Sequence, residues 1–567
     1  MKSLNLIFVF TVLLFFLNDG YCQSPGEYAP NPYAVPTYEC ASLYWTTPEE
    51  GMCTVKYKKA SGSNWTQGLD LVFDDRDGQY RGSIVGLSPD TEYLVELSNG
   101  QAKTAINFTT RTDQFPIGKI TYLPEGESTD PIIITESGTP EGYHLITVPE
   151  NSRSVLNMGN VSNEGIQIDA DYVIVREIEI RNAKVDGIRI KENRHDIVIE
   201  QCFITFWGRI GGPITYGNLE GSTDSGIKAE NGTRNLTIQR NLIEAPRGAS
   251  NDWETGHPAG PQGITISQSL GGNVIRYNDI LSTEDHGFND AIGGGSNYSN
   301  VGNMNRDSDI YGNLIRSVWD DAIEVEGANM NVRVFANYAH QFFNGIATAS
   351  TTKGPIYIYR NVVGESRVGH RNSSGGAFIK TGEREPFAGG RRYVFHNTVV
   401  QPMGVSHAFS GHGISNTVTR NNIFDVPGRL AADRETVDNS DYDYDYFSGL
   451  SLGVAKEKNR IKFSTTPSAT RLYQTSYSLE YFPRTWINSI IWGRKPYQFG
   501  DVKRNITDPV VQIRNPLIDS GIKIPGFNTD FKGEAPDLGA FEVGTAPLEF
   551  GRRAYLAHDE GWPAWER

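Results

Sequence analysis

The sequence predicts an all-β protein in which a right-handed parallel β-helix follows a small β-sandwich. The chain has 567 residues, and among them are 60 glycines, 27 tyrosines and 26 phenylalanines. Glycine-rich turns and abundant aromatic residues are typical of proteins built from many short strands. The second observation is an internal repeat of about 24 residues, a length typical of solenoids.

The first 22 residues have the order of a secretory signal peptide. Lys2 precedes an apolar run from Leu6 to Leu17, which Gly20-Tyr21-Cys22 closes. This run is too short to cross a bilayer, and no later stretch is long and apolar enough to do so. We therefore expect residues 1–22 to be removed and the protein to be secreted, to the cell surface, the periplasm or the medium, with no membrane span.

Charge and cysteine content exclude several classes of protein. Lys plus Arg number 52 against 67 Asp plus Glu, a net charge of −15, whereas nucleic-acid binding needs a basic surface. Cys40 and Cys53 could form one disulfide in an oxidising compartment. No Cys/His spacing resembles a zinc site.

Residues 30–112 alternate short β-patterned runs with turns. The stretch from Gly86 to Val95 (GLSPDTEYLV) resembles the fibronectin type III signature, and Trp45 stands in an early strand, where that family keeps its core tryptophan. The resemblance implies an antiparallel β-sandwich that is a spacer or a binding module without chemistry of its own. Thr110 to Pro116 is the predicted linker.

Residues 117–430 carry the repeat, in which an apolar-x-x-Asn-x-apolar motif recurs. Ile178 and Cys202 fill the Asn slot in two early copies, and the later copies have Asn241, Asn278, Asn313, Asn337, Asn361, Asn397 and Asn421. A second motif of Gly-Ile strands, such as Gly187-Ile188-Arg189-Ile190, runs in step with it. Both fit a parallel β-helix whose Asn side chains stack as a ladder at a turn where Asn tolerates left-handed backbone. Right-handedness follows from the usual chirality of parallel crossovers.

The remaining residues, 431–567, lose the repeat. They include a Tyr-rich run from Asp441 to Tyr446. A solenoid needs its last coil covered, so we expect this region to cap the helix and to pack along it. The Tyr-rich run is predicted to be an exposed capping loop, although it could bind calcium.

Insertions at about 205–222, 245–260, 284–306 and 364–390 are expected to build walls around one face of the helix. They are rich in residues that suit a sugar chain, aromatic rings beside hydrogen-bonding groups: Trp207, Tyr216, Trp253, Glu254, His257, His286, Phe288 and Tyr298. From these walls we predict Trp253, His257 and His286 as substrate contacts, and Trp319 beside them. The alternative is surface loops that bind nothing.

Strand alternation predicts a column of outward side chains along the Gly-Ile strands: Gln167, Arg189, Lys228, Thr265, Gly293, Glu324 and Ala347. Neighbours in such a column lie about 5 Å apart. Arg189 and Lys228 would then be adjacent cations that could hold sulfate or carboxylate groups of a polymer. A solvated charge ladder is the alternative for this pair.

An acidic cluster lies further along the same column. The segment from Trp319 to Gly327 reads WDDAIEVEG, which contributes Asp320, Asp321, Glu324 and Glu326, and Asp290 aligns with Asp321 one coil earlier. Hydrolysis of a glycosidic bond uses two carboxyl groups about 5 Å or about 6.5–9.5 Å apart, and this pattern offers both separations. Crowded carboxylates also raise one another's pKa, and Gly293 to Gly295 are expected to leave space for substrate.

A calcium site is the alternative for this cluster. Asp307 and Asp309, which precede the next turn, could serve either role.

The signal, the fibronectin-like module, the Asn-ladder coils and the ending Ala535 to Glu542 (APDLGAFE) together resemble secreted right-handed parallel β-helix enzymes that degrade polysaccharides. The coils NDAIGGG and WDDAIEVEG are similar to those of bacterial enzymes that act on sulfated algal polysaccharides, such as endo-fucanases. Glycoside hydrolases and polysaccharide lyases share this architecture. No catalytic motif of these enzyme families matches this sequence residue by residue.

These observations favour a monomeric, endo-acting glycoside hydrolase that cleaves an anionic polysaccharide, with a sulfated, fucoidan-like polymer as the first expectation. Acid and base would come from the five carboxylates, and no cofactor is required. A second hypothesis is a lyase in which Lys228 or Arg189 is the base and the acidic cluster holds calcium. A third is a polysaccharide-binding protein without catalytic activity.

Overall fold

The computed structural model describes residues 31–47, 50–209, 223–253, 255–295, 297–364, 376–400, 407–412, 414–425, 439–447, 517–546, 548–552 and 554. The predicted signal peptide lies outside them, as do Tyr216 and Glu254 of the predicted walls and most of the predicted capping region. Within the described ranges no helix has the length and apolar character needed to cross a membrane.

Two antiparallel four-stranded sheets form the predicted β-sandwich. One sheet contains β1 (Tyr33–Pro36), β2 (Cys40–Thr46), β5 (Val72–Asp74) and β6 (Gln79–Val85), and the other contains β3 (Thr54–Lys59), β4 (Thr66–Gln67), β7 (Glu92–Ser98) and β8 (Lys103–Thr109). Tyr93, Val95 and Leu97 alternate inward along β7, as period-two patterning requires. Membership of the fibronectin type III family remains a prediction.

The expected disulfide between Cys40 and Cys53 is wrong, since both are free and buried. Cys53 belongs to the apolar core of the sandwich. Cys40 faces the opposite way, toward the β-helix, where its Sγ lies 4.0 Å from the hydroxyl of Tyr359. The two thiols therefore serve different apolar cores.

Three parallel sheets form the predicted right-handed parallel β-helix: a sandwich-facing sheet, an outer sheet and a sheet that carries the Gly-Ile motif. The sandwich-facing sheet contains β9 (Ile117–Tyr122), β12 (Tyr143–Thr147), β15 (Val173–Arg176), β18 (Ile197–Glu200), β21 (Thr237–Gln239), β24 (Val274–Arg276), β27 (Asp309–Tyr311), β30 (Val332–Phe335), β33 (Ile356–Tyr359), β36 (Arg392–Phe395), β39 (Thr417–Arg420) and β41 (Asp441–Tyr442).

The outer sheet follows one turn later in each coil. It contains β10 (Gly126–Ser128), β13 (Ser154–Asn157), β16 (Glu179–Arg181), β19 (Phe203–Thr205), β22 (Leu242–Glu244), β25 (Asp279–Leu281), β28 (Leu314–Arg316), β31 (Tyr338–His340), β34 (Val362–Val363), β37 (Thr398–Val400), β40 (Ile423–Asp425) and β42 (Tyr446–Phe447).

The Gly-Ile sheet completes the coil. It contains β11 (Ile132–Ile134), β14 (Glu164–Ile168), β17 (Asp186–Ile190), β20 (Ser225–Ala229), β23 (Gln262–Ile266), β26 (Ile292–Gly293), β29 (Asp321–Glu324), β32 (Asn344–Ala347), β35 (Ala377–Gly382) and β38 (His407–His412). One 3-10 helix (Glu284–His286) lies between β25 and β26. Isoleucines of this sheet, such as Ile188, Ile227 and Ile264, pair coil to coil and are fully buried.

An asparagine ladder stabilises the corner between the sandwich-facing and outer sheets. Each Asn side chain accepts a hydrogen bond from the backbone N–H of the preceding rung and donates to a carbonyl, as Asn278 does with Asn241 (3.1 Å) and Ile238 (2.9 Å). Cys202 occupies the rung before Asn241, as the spacing predicts. The ladder therefore satisfies backbone groups that the turn leaves without strand partners.

Two details of the ladder prediction are wrong. The left-handed residue is the one before each rung, such as Tyr277 (φ 55°), and not the Asn itself. The last asparagine rung is Asn422, which accepts from the backbone N–H of Asn397 (2.8 Å), whereas Asn421 takes the left-handed position. The ladder then continues to Asp445, which accepts from the backbone N–H of Asn422 (2.7 Å).

The coils continue past residue 430, the predicted end of the helix. β41 and β42 pair with the preceding coil, so the run from Asp441 to Tyr446, predicted as a capping loop, is part of the helix. The described residues between 517 and 554 pack along the β-helix: Ile522 exchanges hydrogen bonds with Asn421, and Arg552 forms an ion pair with Asp279 (2.8 Å).

The sandwich is docked on the helix through a buried polar contact. Asp309 of β27 is paired with Arg333 of β30, and Arg333 also donates to Ser42 (2.7 Å) of the sandwich. Asp307 accepts from the hydroxyl of Tyr44 (2.6 Å). Neither aspartate is accessible, so the expectation that Asp307 and Asp309 could be catalytic or bind calcium is wrong.

Candidate active site

The register of the Gly-Ile sheet confirms the outward column. Arg189 pairs with Lys228, and Lys228 with Thr265, which pairs with Gly293 in turn. One coil later the column reaches Glu324, whose partner is Ala347. The pairing of Ala347 with Lys380 extends the column by one cation that the sequence analysis missed.

The acidic cluster is assembled as the spacing predicts. One carboxylate oxygen each from Asp290, Asp321 and Glu324 lie within 4.8 Å of one another, and all three residues are buried. Asp320 and Glu326 flank them and are also buried. Two adjacent coils, those of β26 and β29, therefore bring five carboxylates to one place on the Gly-Ile sheet.

Nitrogen donors hold the three central carboxylates. Asp290 accepts from the side-chain amides of Asn289 (2.8 Å) and Gln262 (3.2 Å) and from the backbone of Asp321 (3.1 Å). Asp321 accepts from Asn344 (2.8 Å). Glu324 Oε2 accepts from the backbone N–H groups of two glycines, Gly294 (3.1 Å) and Gly295 (3.0 Å).

Lys380 is the one lysine or arginine that the described residues place against these five carboxylates. Its Nζ lies 2.5 Å from Asp321 Oδ2 and 3.1 Å from Glu326 Oε1. Lys380 lies two coils beyond Glu324 in the column. The residue between them is Ala347, whose small side chain leaves room for Lys380 to reach the carboxylates. The cluster therefore keeps a large excess of acid over base.

The five carboxylates differ in access. Glu324, Asp290 and Asp320 keep 7%, 4% and 3% of their surface exposed, whereas Asp321 and Glu326 are fully buried. Glu326 accepts from the backbone of Ala349 (3.3 Å) as well as from Lys380. Substrate therefore reaches Glu324, Asp290 and Asp320 more easily than the two buried acids, whose contacts suit them to position Lys380.

Burial and mutual repulsion raise the pKa of four of these acids. Burial is the main cause for Asp290 and Asp320, whose pKa values lie well above the usual range, and neighbouring carboxylates add to it. The pKa of Glu326 is also raised well above its usual range by burial, against the charge of Lys380. Burial raises the pKa of Glu324 too, but Lys380 and the two glycine N–H groups oppose that rise.

Gly293, Gly294 and Gly295 contact the carboxylate of Glu324. A Cβ at position 293 would lie 2.5 Å from Glu324 Oε2. The prediction that Gly293 to Gly295 leave space for substrate is therefore wrong at Gly293, where the Glu324 carboxylate lies over the glycine and binds the next two backbone N–H groups.

An aromatic wall stands beside Asp320 on the loop between β22 and β23. Trp253, 37% exposed, stacks on Phe343 with ring centroids 5.3 Å apart and donates from Nε1 to Asp320 Oδ1 (3.2 Å). The ring of His257 lies 4.6 Å from that of Trp253, and its Nε2 is 3.9 Å from Asp320 Oδ2. The predicted contacts Trp253 and His257 are thus brought to the acidic cluster.

A second wall stands at the other end of the strands. The hydroxyl of Tyr298 lies over Gly382, where a Cβ would approach it to 2.6 Å. Ser299 beside it accepts from Thr352 (2.9 Å). The two walls therefore flank opposite ends of the Gly-Ile strands.

Two other predicted contacts are placed differently. Trp319 is 6% exposed and packs against Gly287, which leaves little of its ring for stacking on a sugar. His286 donates from Nδ1 to the carbonyl of Pro246 (2.9 Å) and contacts the ring of Phe206, and no carboxylate of the cluster contacts it within the described ranges.

The cations Arg189 and Lys228 lie upstream in the same column, with partners of their own. Arg189 contacts Glu164 (2.8 Å), Glu230 (3.0 Å) and Asp186 (3.5 Å). Lys228 donates to the carbonyl of Thr223 (3.1 Å). Burial raises the pKa of Asp186 to about 6. Anion binding by Arg189 and Lys228 remains a prediction, and it requires a polymer that competes with these carboxylates.

Asp290, Asp321 and Glu324 are the candidate cation site among the described residues. The spacing of Asp290, Asp321 and Glu324 is suitable for a cation, but calcium requires six to eight oxygen ligands. Both oxygens of Asp290, both of Asp321 and Oε2 of Glu324 already accept from N–H groups or from Lys380. The positive Nζ of Lys380, 2.5 Å from Asp321 Oδ2, would compete with a cation for that oxygen.

No protein-family model matches the chain, and no curated protein matches it in sequence. Among solved structures it is similar to pectate lyase Pel9A (TM-score 0.34, 14% identity, 76% of this chain and 87% of that one). It is also similar to the catalytic unit of a GH87 α-1,3-glucanase from Streptomyces thermodiastaticus (0.34, 11%, 77% and 86%). A third is a family 28 exopolygalacturonase from Yersinia enterocolitica (0.28, 12%, 76% and 98%).

Proposed function

We propose that the protein is a glycoside hydrolase that cleaves a polysaccharide beside the acidic cluster of the Gly-Ile sheet. The observation that carries this proposal is the group of five buried carboxylates beside an exposed Trp253, against which the described residues place Lys380 as the one lysine or arginine. Structural acids are normally neutralised by cations, whereas crowded and desolvated acids supply a protonated carboxyl near neutral pH. Glycosidic hydrolysis needs such an acid beside a second, ionised carboxylate.

We assign the acid and base roles from the different surroundings of Asp320 and Glu324. Asp320 has a pKa well above its usual range, because it is buried and near other carboxylates, and it faces the aromatic wall. It is suited to be the general acid that protonates the leaving oxygen. Glu324 is suited to be the base or nucleophile, because two backbone N–H groups and Lys380 favour its ionised form.

Asp290, Asp321 and Glu326 complete the group. Asp290 accepts from the backbone N–H of Asp321 and adds to the negative field, and Asp321 and Glu326 together fix Lys380. The exposed ring of Trp253 provides a platform for a pyranose ring beside Asp320. We expect cleavage within the polymer chain, at a site flanked by a wall at each end of the strands.

The substrate class is part of the same proposal. We expect an anionic polysaccharide, with a sulfated, fucoidan-like polymer first, since Arg189 and Lys228 lie in the column that leads to the acids. We expect a secreted protein that acts as a monomer and needs no cofactor.

The test is to incubate the protein with fucoidan, carrageenans, alginate, pectin and ulvan, and to follow reducing ends and ultraviolet absorbance together. New reducing ends without new absorbance would support hydrolysis, and Glu324→Gln and Asp320→Asn should remove them. Absorbance from unsaturated products would instead show a lyase. Binding that Glu324→Gln leaves intact, with no product from any polymer, would contradict the proposal and favour a binding protein.

A further inference from the structure

The loop that carries Trp253 also places a histidine between solvent and the buried Asp320. The His257 side chain is 53% exposed, whereas that of Asp320 is 4% exposed. Asp320 is covered on one side by Trp253, which donates to Oδ1. Its other oxygen, Oδ2, faces His257 Nε2 at 3.9 Å, a gap that one bridging water or a small ring rotation closes.

The tautomer of His257 is determined by its neighbour. Nδ1 lies 2.8 Å from the carbonyl of Pro258, and because a carbonyl can only accept, Nδ1 must carry a hydrogen. Neutral His257 therefore presents its basic nitrogen, Nε2, to Asp320. Among the described residues Asp320 is the one charged group in contact with this ring, and the other ring contact is Trp253.

We propose that His257 relays protons between solvent and Asp320. This inference depends on the proposed hydrolase function. During cleavage the Asp320 carboxyl proton moves to the glycosidic oxygen as its bond to carbon breaks, and the attacking water gives its proton to Glu324. A hydronium or a buffer acid then protonates His257 Nε2, and the imidazolium passes that proton to Asp320 Oδ2. Glu324 releases the proton that it took from the attacking water to solvent, so all three groups return to their starting states.

His257 is thus a positioning residue that acts through Asp320 and does not need to touch the sugar. Histidine suits the role because it gains and loses a proton readily near neutral pH. The geometry also explains why the wall loop holds the ring by a backbone carbonyl: the contact with Pro258 leaves Nε2 available while keeping the ring on Trp253.

The experiment uses His257→Asn, whose amide can still donate to Pro258 but has no group in place of Nε2. We expect kcat to fall about 10- to 100-fold with KM within about twofold, and imidazole added to the solution to restore the rate as its concentration rises. A raised KM with unchanged kcat would overturn the relay. So would a fall in kcat that imidazole does not reverse.

His286 is the matched control, because its Nδ1 makes the same contact with a proline carbonyl while its ring faces Phe206. Whatever the rate of His286→Asn, added imidazole should leave that rate unchanged. Restoration of both variants would mean a general buffer effect and would overturn the assignment to His257.

A second measurement does not depend on turnover. The chain has 10 histidines, and the ring signal missing from His257→Asn identifies His257 in a proton NMR titration. Asp320→Asn should alter the titration of that signal, and an unaltered curve would overturn the relay. If the wild type cleaves no polymer, the hydrolase proposal fails, and this titration still decides whether His257 and Asp320 are electrostatically coupled.

Discussion

Two acidic groups on neighbouring coils of one helix have opposite surroundings. Asp307 and Asp309 lie on the sandwich-facing side, where Arg306 and Arg333 pair with them and the docked sandwich covers them. The five carboxylates on the Gly-Ile side share Lys380 and lie beside the exposed Trp253. Both groups are buried, so burial alone does not separate a structural acid from a candidate catalytic one.

The two acidic groups differ in how far opposite charges and hydrogen bonds offset the burial of their carboxylates. A buried carboxylate is costly unless opposite charges and hydrogen bonds satisfy it. At Asp309 the guanidinium of Arg333 supplies both, and Thr37 donates a further bond (2.5 Å). At Asp320 and Asp290 repulsion remains, and the fold holds these acids near one another with a raised pKa. Such uncompensated clusters are typical of functional sites.

Glu324→Gln should have the largest effect on activity. Activity should fall about 10²- to 10⁴-fold, because the base or nucleophile is lost. Measuring reducing ends per folded molecule would check this prediction. A variant with normal activity would contradict the role of Glu324.

The same variant should be more stable than the wild type at neutral pH. Burial raises the folded pKa of Glu324, so its contribution to stability is present at low pH and lost as pH rises through that pKa. Glutamine cannot ionise and does not suffer this loss. Urea unfolding at about pH 5 and about pH 8 should show the gain mainly at the higher pH.

Arg333→Met tests the other acidic group, with the opposite result. It leaves Asp309 buried without its cation, which should lower the free energy of unfolding by about 3–5 kcal/mol. The rate per folded molecule should stay near that of the wild type. Adding Asp309→Asn should recover part of the stability, and a double variant no more stable than Arg333→Met would contradict charge pairing as the cause.

Lys380→Met should shift the pH profile of activity. Lys380 lowers the pKa of Glu324, so its removal raises that pKa. A base must be ionised to act, so the acidic limb of the profile should move to higher pH. Lys380→Arg should largely restore the profile. An acidic limb that stays in place would exclude Lys380 from control of Glu324.

Removal of divalent cations should leave the rate unchanged. N–H groups and Lys380 already engage the oxygens that calcium would need. Rates measured with and without chelator should agree. A loss of activity that calcium reverses would favour the lyase alternative.

Much of the fold could be predicted from the sequence because a solenoid repeats its contacts. The Gly-Ile motif fixed the register of Arg189, Lys228 and Glu324, and the same spacing aligned Asp290 with Asp321. The ladder was predicted within one residue at its end, where two adjacent asparagines, Asn421 and Asn422, made the register ambiguous.

Long-range contacts could not be predicted in this way. Lys380 lies inside the predicted insertion of residues 364–390, part of which forms β35, so its place in the column becomes visible only through strand pairing. The docking of the sandwich depends on the shape of two separate surfaces, so the sequence pattern did not show that Asp307 and Asp309 meet Tyr44 and Arg333. The opposite orientations of Cys40 and Cys53 are likewise set by that interface.

The most direct test of the central claim compares Glu324→Gln with Arg333→Met on whichever polymer the wild type cleaves. Reducing ends released per folded molecule are measured for all three proteins under one condition where each is folded. We expect the rate to fall at least about 100-fold in Glu324→Gln and to change by no more than about twofold in Arg333→Met. Equal losses, or a loss confined to Arg333→Met, would contradict the assignment of chemistry to the Gly-Ile face.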